Sequence, residues 1–485
     1  MLKERVAGRR SLGGDPLDES VRLSGLRWFR NMPGVEHQNS GPAANAMGVI
    51  GTFSLGAPIS ARGLFFFAIL ALTCISLSPF PDLGDARLLE LGDGNETVTY
   101  FLFFVFAVIA TIIAWRSDRP ALKSLFIPSY VGMFGWVAVT CVISQDPLTS
   151  SKRAVMLVFV VLCGATLFLL PRDRDELTRL LSWFALLIIG LSYFGVFFMP
   201  ECSIHQATDL GEPQLAGDWR GLFGHKNMAS AVFSFLAFIG LFVRKERAAE
   251  GWIIFVLSVV FIIASGGKSS TAIFLATIVI SYVAARISNF ALWALLVGAP
   301  LVGLNLLGIG SVLWPSLTSI TSTLPLDSSF TGRADVWAYA LPRTTETPIF
   351  GHGFLAFWNT AAMLYGAEQN NEWASTASHA HNAYLDAVLS MGFPGLLLFL
   401  AAFVVQPALD IRRALARGEE PELTLMFQQA WMFTLYLSAF ESFFFNRAHP
   451  NWVTFLFAVF SLHYLARFKI TRSADARSPP RSWMA

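Results

Sequence analysis

The chain has 485 residues, of which 54% are apolar and only 14% are Asp, Glu, Lys or Arg. Soluble domains carry roughly 25% charged residues, and disordered chains combine low hydrophobicity with high net charge. The composition therefore excludes a disordered chain and argues against an ordinary soluble enzyme. We therefore expect a polytopic membrane protein. The formal net charge of only +2 gives no basis for binding nucleic acid, so we expect no nucleic-acid partner.

Residues 1–60 form a polar segment led by basic residues such as Arg5, Arg9 and Arg10. A cleavable signal peptide needs an apolar core near the N-terminus, and no such core precedes Leu64. We interpret 1–60 as a mobile cytoplasmic arm. A short amphipathic piece around 23–29 fits either a solvated tail or a contact with lipid.

Twelve apolar runs follow, each about as long as a helix that crosses the hydrocarbon core of a bilayer. They cover 63–80, 98–115, 124–144, 154–171, 178–199, 228–243, 252–265, 270–285, 289–308, 383–406, 423–442 and 452–467. The pattern predicts an all-α membrane fold with about 12 transmembrane helices. Nine lie in 61–308 and three in 383–470, and a cytoplasmic tail follows at 471–485. The short pair 252–265 and 270–285 is also compatible with a re-entrant hairpin.

Basic residues are concentrated in the short loops that lie inside when the N-terminus is placed in the cytoplasm. These are Arg116, Arg119, Lys123, Arg172, Arg174, Arg179, Arg244, Lys245, Arg247, Arg286, Arg412, Arg413 and Arg417. The positive-inside rule then places both termini in the cytoplasm.

Two outer segments are long, 200–227 and 309–382. Structureless connectors beyond about 15 residues are uncommon in compact domains, and the second segment contains many aromatic residues and a helical-looking stretch at 333–341. We therefore expect a folded periplasmic loop domain at 309–382. The sequence shows no internal repeat of the kind that many transporters have.

The first candidate site is a basic, glycine-rich stretch just before the sixth run, Asp218-Trp-Arg220-Gly-Leu-Phe-Gly-His225-Lys226-Asn227. Arg220, His225 and Lys226 are hydrogen-bond donors, and the N-terminus of a helix follows. Together they favour an anion site. The alternative is an interfacial loop whose cations meet lipid headgroups.

A second glycine-rich stretch, Ser265-Gly-Gly-Lys268-Ser-Ser, has some likeness to a phosphate-binding P-loop. That motif requires a glycine at position 262, where Ile262 stands, so we reject nucleotide binding. Lys268 remains a cation between two spans. Such a residue is either functional or snorkels to the interface.

The third candidate is Arg333, two residues after a possible N-cap at Thr331. The helix dipole disfavours a cation in the first turn, whereas a bound phosphate would account for it. The alternative is an ion pair with Asp335 or with a carboxylate elsewhere in the chain.

The fourth candidate is His381 in Ser378-His-Ala-His381-Asn382-Ala-Tyr384-Leu-Asp386. Histidine suits proton transfer near neutral pH, and Asp386 lies about one helical turn beyond, where it can orient the ring. A His-x-His pair without nearby acidic or thiol ligands is a weak metal pattern. The alternative is a histidine without a role at a wet interface.

Glu441 lies near the end of the eleventh run. A buried carboxylate needs a partner. We expect that partner to be Arg447 or an arginine that also binds the ligand.

In this order, four motifs resemble the O-antigen ligase and Wzy-type polysaccharide polymerase superfamily, with the nearest likeness to rhizobial exopolysaccharide polymerisation proteins. The motifs are Arg220-Gly-Leu-Phe-Gly-His225-Lys226-Asn227; Gly332-Arg333-x-x-x-Trp337; Pro348-x-x-Gly351-x-Gly353; and His381-Asn382-x-Tyr384-Leu385 with Gly392-x-x-Gly395. The likeness extends over roughly residues 60 to 470. It implies a membrane-embedded all-α fold related to the C-type glycosyltransferases, in the bacterial inner membrane.

The resemblance also implies a chemistry. His381 matches the family's proposed catalytic histidine, and Arg220 and Arg333 match arginines proposed to hold the diphosphate of a lipid-linked sugar. Lys226 and Lys268 are further diphosphate candidates, although Lys268 replaces an arginine and loses its bidentate fork. His225, Asn382, Tyr384, Asp386 and Glu441 are supporting candidates. No cofactor and no metal are implied.

We therefore expect an inverting, metal-independent polymerase of exopolysaccharide repeats that works at the periplasmic face. Its partners are an undecaprenyl-diphosphate-linked oligosaccharide and membrane lipid, with chain-length regulators or export proteins as further candidates. One alternative is a ligase that transfers glycan to lipid A core or to protein. A more distant alternative is a glycan or lipid transporter, which would carry ionisable residues near the midplane. Here the candidate residues gather at one face.

Overall fold

The computed structural model describes residues 58–84, 92–210, 212–314, 316–317, 332–358, 377–446 and 449–470, without the side chains of 92–96. Residues 1–57 of the arm predicted at 1–60 lie outside these residues, as does the predicted tail at 471–485. So do 315, 318–331 and 359–376 of the predicted loop domain. Every described element is helical apart from one isolated bridge between Ile204 and Trp219. The all-α prediction is confirmed for the described part of the chain.

A helix covers most of each of the twelve apolar runs. In chain order the helices are α1 (Ala61–Cys74), α2 (Gly92–Ser117), α3 (Arg119–Lys123), α4 (Pro128–Val142), α5 (Pro147–Leu167), α6 (Arg174–Phe198), α7 (Pro200–Ser203), α8 (Lys226–Val243), α9 (Ala248–Ala264), α10 (Lys268–Ala284), α11 (Phe290–Leu307), α12 (Ile309–Leu313), α13 (Arg333–Arg343), α14 (Ala383–Phe399), α15 (Gln406–Arg417), α16 (Pro421–Leu437) and α17 (Pro450–Leu465). A π-helical stretch, Leu400–Val405, joins α14 to α15.

Six of the described helical segments are long and apolar enough to cross a membrane. They are Thr97–Ser117, Pro147–Leu167, Arg174–Phe198, Lys226–Val243, Phe290–Leu313 and Ala383–Arg417. Large apolar side chains remain exposed on them, such as Phe101 and Phe197, which are 62% and 68% exposed. Contiguous apolar surface of this kind marks a protein that contacts lipid, so the chain is a polytopic membrane protein. The count of twelve spans stays a prediction.

The two residue groups that the sequence placed on opposite sides of the membrane gather at opposite ends of the helices. At the end formed by the basic loops, Arg174 pairs with Glu246 and, at 2.6 Å, with Glu420. Arg412 donates to the Ile287 carbonyl oxygen at 2.8 Å across two other loops. We call this the basic end. The other end, where the described residues of 200–227, 332–358 and 377–382 lie, is called the site end.

Part of the predicted loop domain is described, and it packs on α14. The helix expected at 333–341 is present as α13, and Trp337 on it is fully buried with Ala380, Leu385 and Leu389. The Trp337 indole N–H donates to the Ala380 carbonyl oxygen at 2.8 Å. The packing of α13 thus fixes the chain that leads into α14.

Two motif glycines, Gly351 and Gly392, allow close packing of main chain against main chain. Gly392 breaks α14 with φ +68°, and a Cβ there would overlap the Ile349 carbonyl. A Cβ at Gly351, whose φ is +65°, would likewise overlap the main chain of 389–391. Because only glycine allows this approach at positive φ, the segment 348–353 seats directly on the break in α14.

Candidate functional site

Glu441 is the centre of a polar cluster at the site end. It lies just after α16 and is 12% exposed. Its Oε1 accepts a hydrogen bond from Arg333 Nη2 at 2.7 Å and one from Asn227 Nδ2 at 2.8 Å. Its Oε2 lies 3.7 Å from His381 Nδ1. Four distant parts of the sequence are therefore held together by one carboxylate.

Glu441 pairs with Arg333, which the sequence analysis named as a candidate for binding the diphosphate. Arg447, the other, lies outside the described residues. Burial by itself would raise the pKa of Glu441, but the charge of Arg333 and the proximity of His381 outweigh it and lower the pKa to about 2. Glu441 is therefore an anion throughout the physiological range.

His381 has its imidazole at the surface of this cluster. The side chain is 36% exposed, whereas Nδ1 is buried and makes no hydrogen bond within the described residues. Nδ1 therefore faces Glu441, and Nε2 is left as the nitrogen available to a ligand. The backbone of His381 has φ +51°, a conformation that is strained for a residue other than glycine.

Two further histidines lie beside His381 and Glu441, and sequence reasoning did not select them. The ring of His379 is 4.1 Å from that of His381. Burial lowers the pKa of His379 to about 4, and His381 adds to the shift. Burial likewise lowers the pKa of His449 to about 4, against the opposing effect of Glu441. Both are neutral near pH 7. The His-x-His pattern was a signal for His379, but no pattern distinguished His449.

Within the described residues, no three of His, Cys, Asp and Glu are grouped so as to hold a metal ion. The polar groups that meet here are instead suited to proton transfer and to binding an anion.

Asn382 and Tyr384 hold the start of α14. The side chain of Asn382 accepts from the main-chain N–H groups of Tyr384 and Leu385 at 3.0 and 2.9 Å, and it donates to the Ala439 carbonyl oxygen. Tyr384 donates its hydroxyl to the Leu435 carbonyl oxygen at 2.8 Å. Both are buried, so they support the site and do not face a ligand.

The sequence suggested that Asp386 would orient the His381 ring. In the structure Asp386 instead bonds three other groups. Its Oδ1 accepts from Trp358 Nε1 at 2.6 Å and from the Ala380 N–H at 3.1 Å, and Oδ2 accepts from Ser442. These bonds fix the loop before His381 and the residue after Glu441. Asp386 thus links the segment that contains Ala380 to the segment that contains Ser442. The carboxylate that faces His381 is Glu441.

His225 caps α8, with Nδ1 accepting from the Asn227 N–H at 3.0 Å. Its Nε2 is 2.8 Å from Glu212 Oε2. The buried His205, which the sequence analysis missed, bonds Asp209 at 2.9 Å through Nδ1 and accepts the Lys226 N–H through Nε2. Its i, i+4 spacing to Asp209 in a polar loop was the available signal. These bonds fold the segment before α8 so that Asn227 reaches Glu441.

Arg220 is fully buried beneath this segment. Its guanidinium donates to the carbonyl oxygens of Pro81 and Phe223, at 2.8 and 3.3 Å. It therefore does not lie with Arg333 in the Glu441 cluster, and in this structure its contacts hold the segment together.

The two lysines lie at the N-termini of neighbouring helices. Lys226 begins α8 and pairs with Asp218 Oδ2 at 2.6 Å. Lys268 begins α10 and is exposed. Gly266, just before it, packs against the Asp218 carboxylate. The first and second candidate stretches of the sequence are thus in contact.

Comparison with known proteins gives two matches. Residues 253–400 match a family model described as O-antigen ligase. A segment of 105 residues, 21% of this chain, is 28% identical to the exopolysaccharide production protein ExoQ of Rhizobium meliloti (strain 1021). The match spans about a quarter of that relative, 24% of its length. The family-model match includes Lys268 and Arg333, as well as His381, but neither Arg220 nor Glu441.

Proposed function

We propose that the chain is a membrane glycosyltransferase that polymerises exopolysaccharide repeats, because residues 253–400 match the O-antigen ligase model and a segment of 105 residues is similar to an exopolysaccharide production protein. The donor is a glycan on undecaprenyl diphosphate, and the acceptor is a second lipid-linked repeat. The observation that supports this most is that Glu441, 12% exposed, lies 2.7 Å from Arg333 and 3.7 Å from His381, two residues inside the segment that matches the family model. We place the site on the periplasmic face of the bacterial inner membrane.

In the proposed reaction, His381 Nε2 takes the proton of an acceptor hydroxyl. The hydroxyl oxygen attacks the anomeric carbon of the donor, the bond from that carbon to the diphosphate oxygen breaks, and the configuration inverts. Glu441, beside Nδ1, stabilises the imidazolium that forms, as a carboxylate does in catalytic triads. The geometry supports this assignment because Nδ1 is enclosed and the imidazole is 36% exposed.

Negative charge develops on the departing diphosphate, and fixed cations are the groups that stabilise such charge. Arg333 is 15% exposed, and its Nη2 donates to Glu441. The remaining guanidinium N–H groups can donate to phosphate oxygens. Lys268, exposed at the start of α10, is a further candidate cation for the diphosphate, whereas Lys226 is paired with Asp218. We assign Arg220 a supporting role, because its guanidinium is enclosed by carbonyl groups.

The second candidate function is a ligase that moves a finished glycan to lipid A core or to protein, since the matching family model carries that description. Both reactions would use the same donor side of the site and differ in the acceptor. The transporter alternative is less well supported, because the Glu441 cluster lies at one end of the helices.

The test is reconstitution of the purified protein with one defined undecaprenyl-diphosphate-linked repeat, followed by analysis of the lipid-linked products. Wild type is expected to produce longer lipid-linked chains, and His381→Ala to produce none. His352→Ala is the matched control, because this partly buried histidine at the same end faces the Arg343 carbonyl oxygen at 3.1 Å. Unextended substrate with wild type, or normal polymer from His381→Ala, would contradict the proposal.

A further inference from the structure

The main chain around His381 is strained and tightly held. A residue other than glycine at positive φ is strained and persists only where its surroundings fix it. His381, at φ +51°, is fixed from both sides. Asp386 accepts the Ala380 N–H at 3.1 Å, Trp337 donates to the Ala380 carbonyl at 2.8 Å, and Asn382 caps α14.

The remaining main-chain donor at this point is the N–H of His381 itself. It donates to Nδ1 of His379 at 3.3 Å. The two rings also meet edge to face, with centroids 4.1 Å apart and an interplanar angle of 64°. His379 therefore contacts both the backbone and the imidazole of His381.

This hydrogen bond requires one protonation state and one tautomer of the His379 ring. A nitrogen that accepts a hydrogen bond carries no proton, so the proton of the neutral ring lies on Nε2. Burial keeps the pKa of His379 at about 4, so the ring stays neutral and Nδ1 stays an acceptor near pH 7. A cationic ring would repel the His381 N–H that it now accepts.

We propose that His379 is a positioning residue, which accepts the His381 N–H and packs against its ring so that Nδ1 stays toward Glu441 and Nε2 toward the acceptor. The inference rests on the base role proposed for His381. His379 itself does not touch the reacting atoms. A displacement of about 1 Å at a catalytic group can cost 10²-fold in rate, so we expect loss of His379 to lower kcat.

Three variants separate positioning from general packing. Asparagine places an acceptor oxygen near the position of Nδ1, glutamine places it about one bond farther out, and alanine removes it. We expect His379→Ala to lower kcat on the order of 10²-fold with an unchanged KM for the donor. His379→Asn should recover most of the rate, and His379→Gln should not. Wild type and His381→Ala are measured in the same reconstituted assay.

The outcomes are distinct. If His381→Ala is as active as wild type, the proposed function fails. If His381→Ala is inactive but His379→Ala keeps full kcat, the base role stands and the positioning role is overturned. Equal rates for the Asn and Gln variants would also overturn it. Should the Ala variant not fold, as judged by thermal melting in detergent, the comparison of the Asn and Gln variants decides alone.

Discussion

Replacing Glu441 with glutamine removes the charge that joins Arg333, Asn227 and His381 while it keeps the shape of the side chain. Removing one member of a buried ion pair typically costs 3–5 kcal/mol. Arg333 is 15% exposed and regains some hydration, so we expect about 3 kcal/mol, at the low end of that range. The imidazolium of His381 would also lose its counter-charge, and we expect kcat to fall about 10²-fold, the lower bound for a positioned general base.

The same contacts of Glu441 also make stability depend on pH. The folded-state pKa of Glu441 is about 2, against an ordinary value of 4.5. The ionised form is therefore the stabilised one. Its contribution is complete above pH 4.5 and is lost as the pH falls toward 2. This difference corresponds to about 3 kcal/mol, in agreement with the ion-pair argument.

The assay is thermal melting in detergent between pH 7 and pH 2, together with the polymerisation rate at pH 7. Glu441→Gln should melt lower than wild type at pH 7 and approach wild type as the pH falls through this window. Glu346→Gln is the matched control, since Glu346 is an exposed carboxylate at the same end. A Glu441→Gln variant with wild-type melting and wild-type kcat would refute the reasoning.

Three further variants test other parts of the site end. Arg333→Lys keeps the charge but loses the guanidinium fork, so the KM for the donor should rise about 10-fold while insertion in the membrane is unchanged; an unchanged KM would count against diphosphate binding. Arg220→Met leaves buried carbonyls unpaired, each costing about 1–3 kcal/mol, so melting in detergent should fall while the donor KM of the folded fraction stays the same. Gly392→Ala places a Cβ against the Ile349 carbonyl at a positive φ, and we expect lower melting with reduced kcat; a wild-type melting temperature would show that the break in α14 is not required.

Hydropathy was enough to locate the helices. Helices that cross a bilayer must satisfy their own backbone hydrogen bonds and present apolar side chains along most of their length, so each span is visible as a local run. The described helices cover most of each predicted run, and the helix expected at 333–341 is present. The side of the membrane that each end faces follows from charge counts and stays a prediction.

The four motifs lie at one end of the molecule, but the contacts among their residues differ from those that sequence spacing suggested. His381 and Arg333 meet through Glu441 as a pair, whereas Arg220 turned out to be enclosed. Sequence spacing suggested that Asp386, one turn away, would face His381. The carboxylate that does so is 60 residues farther along the chain.

What the sequence by itself determined was therefore local: an all-helical membrane chain, its helix positions, and the residues able to carry charge or protons at one end. What only the tertiary structure decided was which of them meet. Arg333 begins α13, His381 lies just before α14 and Glu441 lies after α16, yet the three side chains meet. His449 lies near them, and no sequence motif marked it. Ion pairs act over a few ångströms, and such distances between loops are set by how the helices pack, which no local pattern encodes.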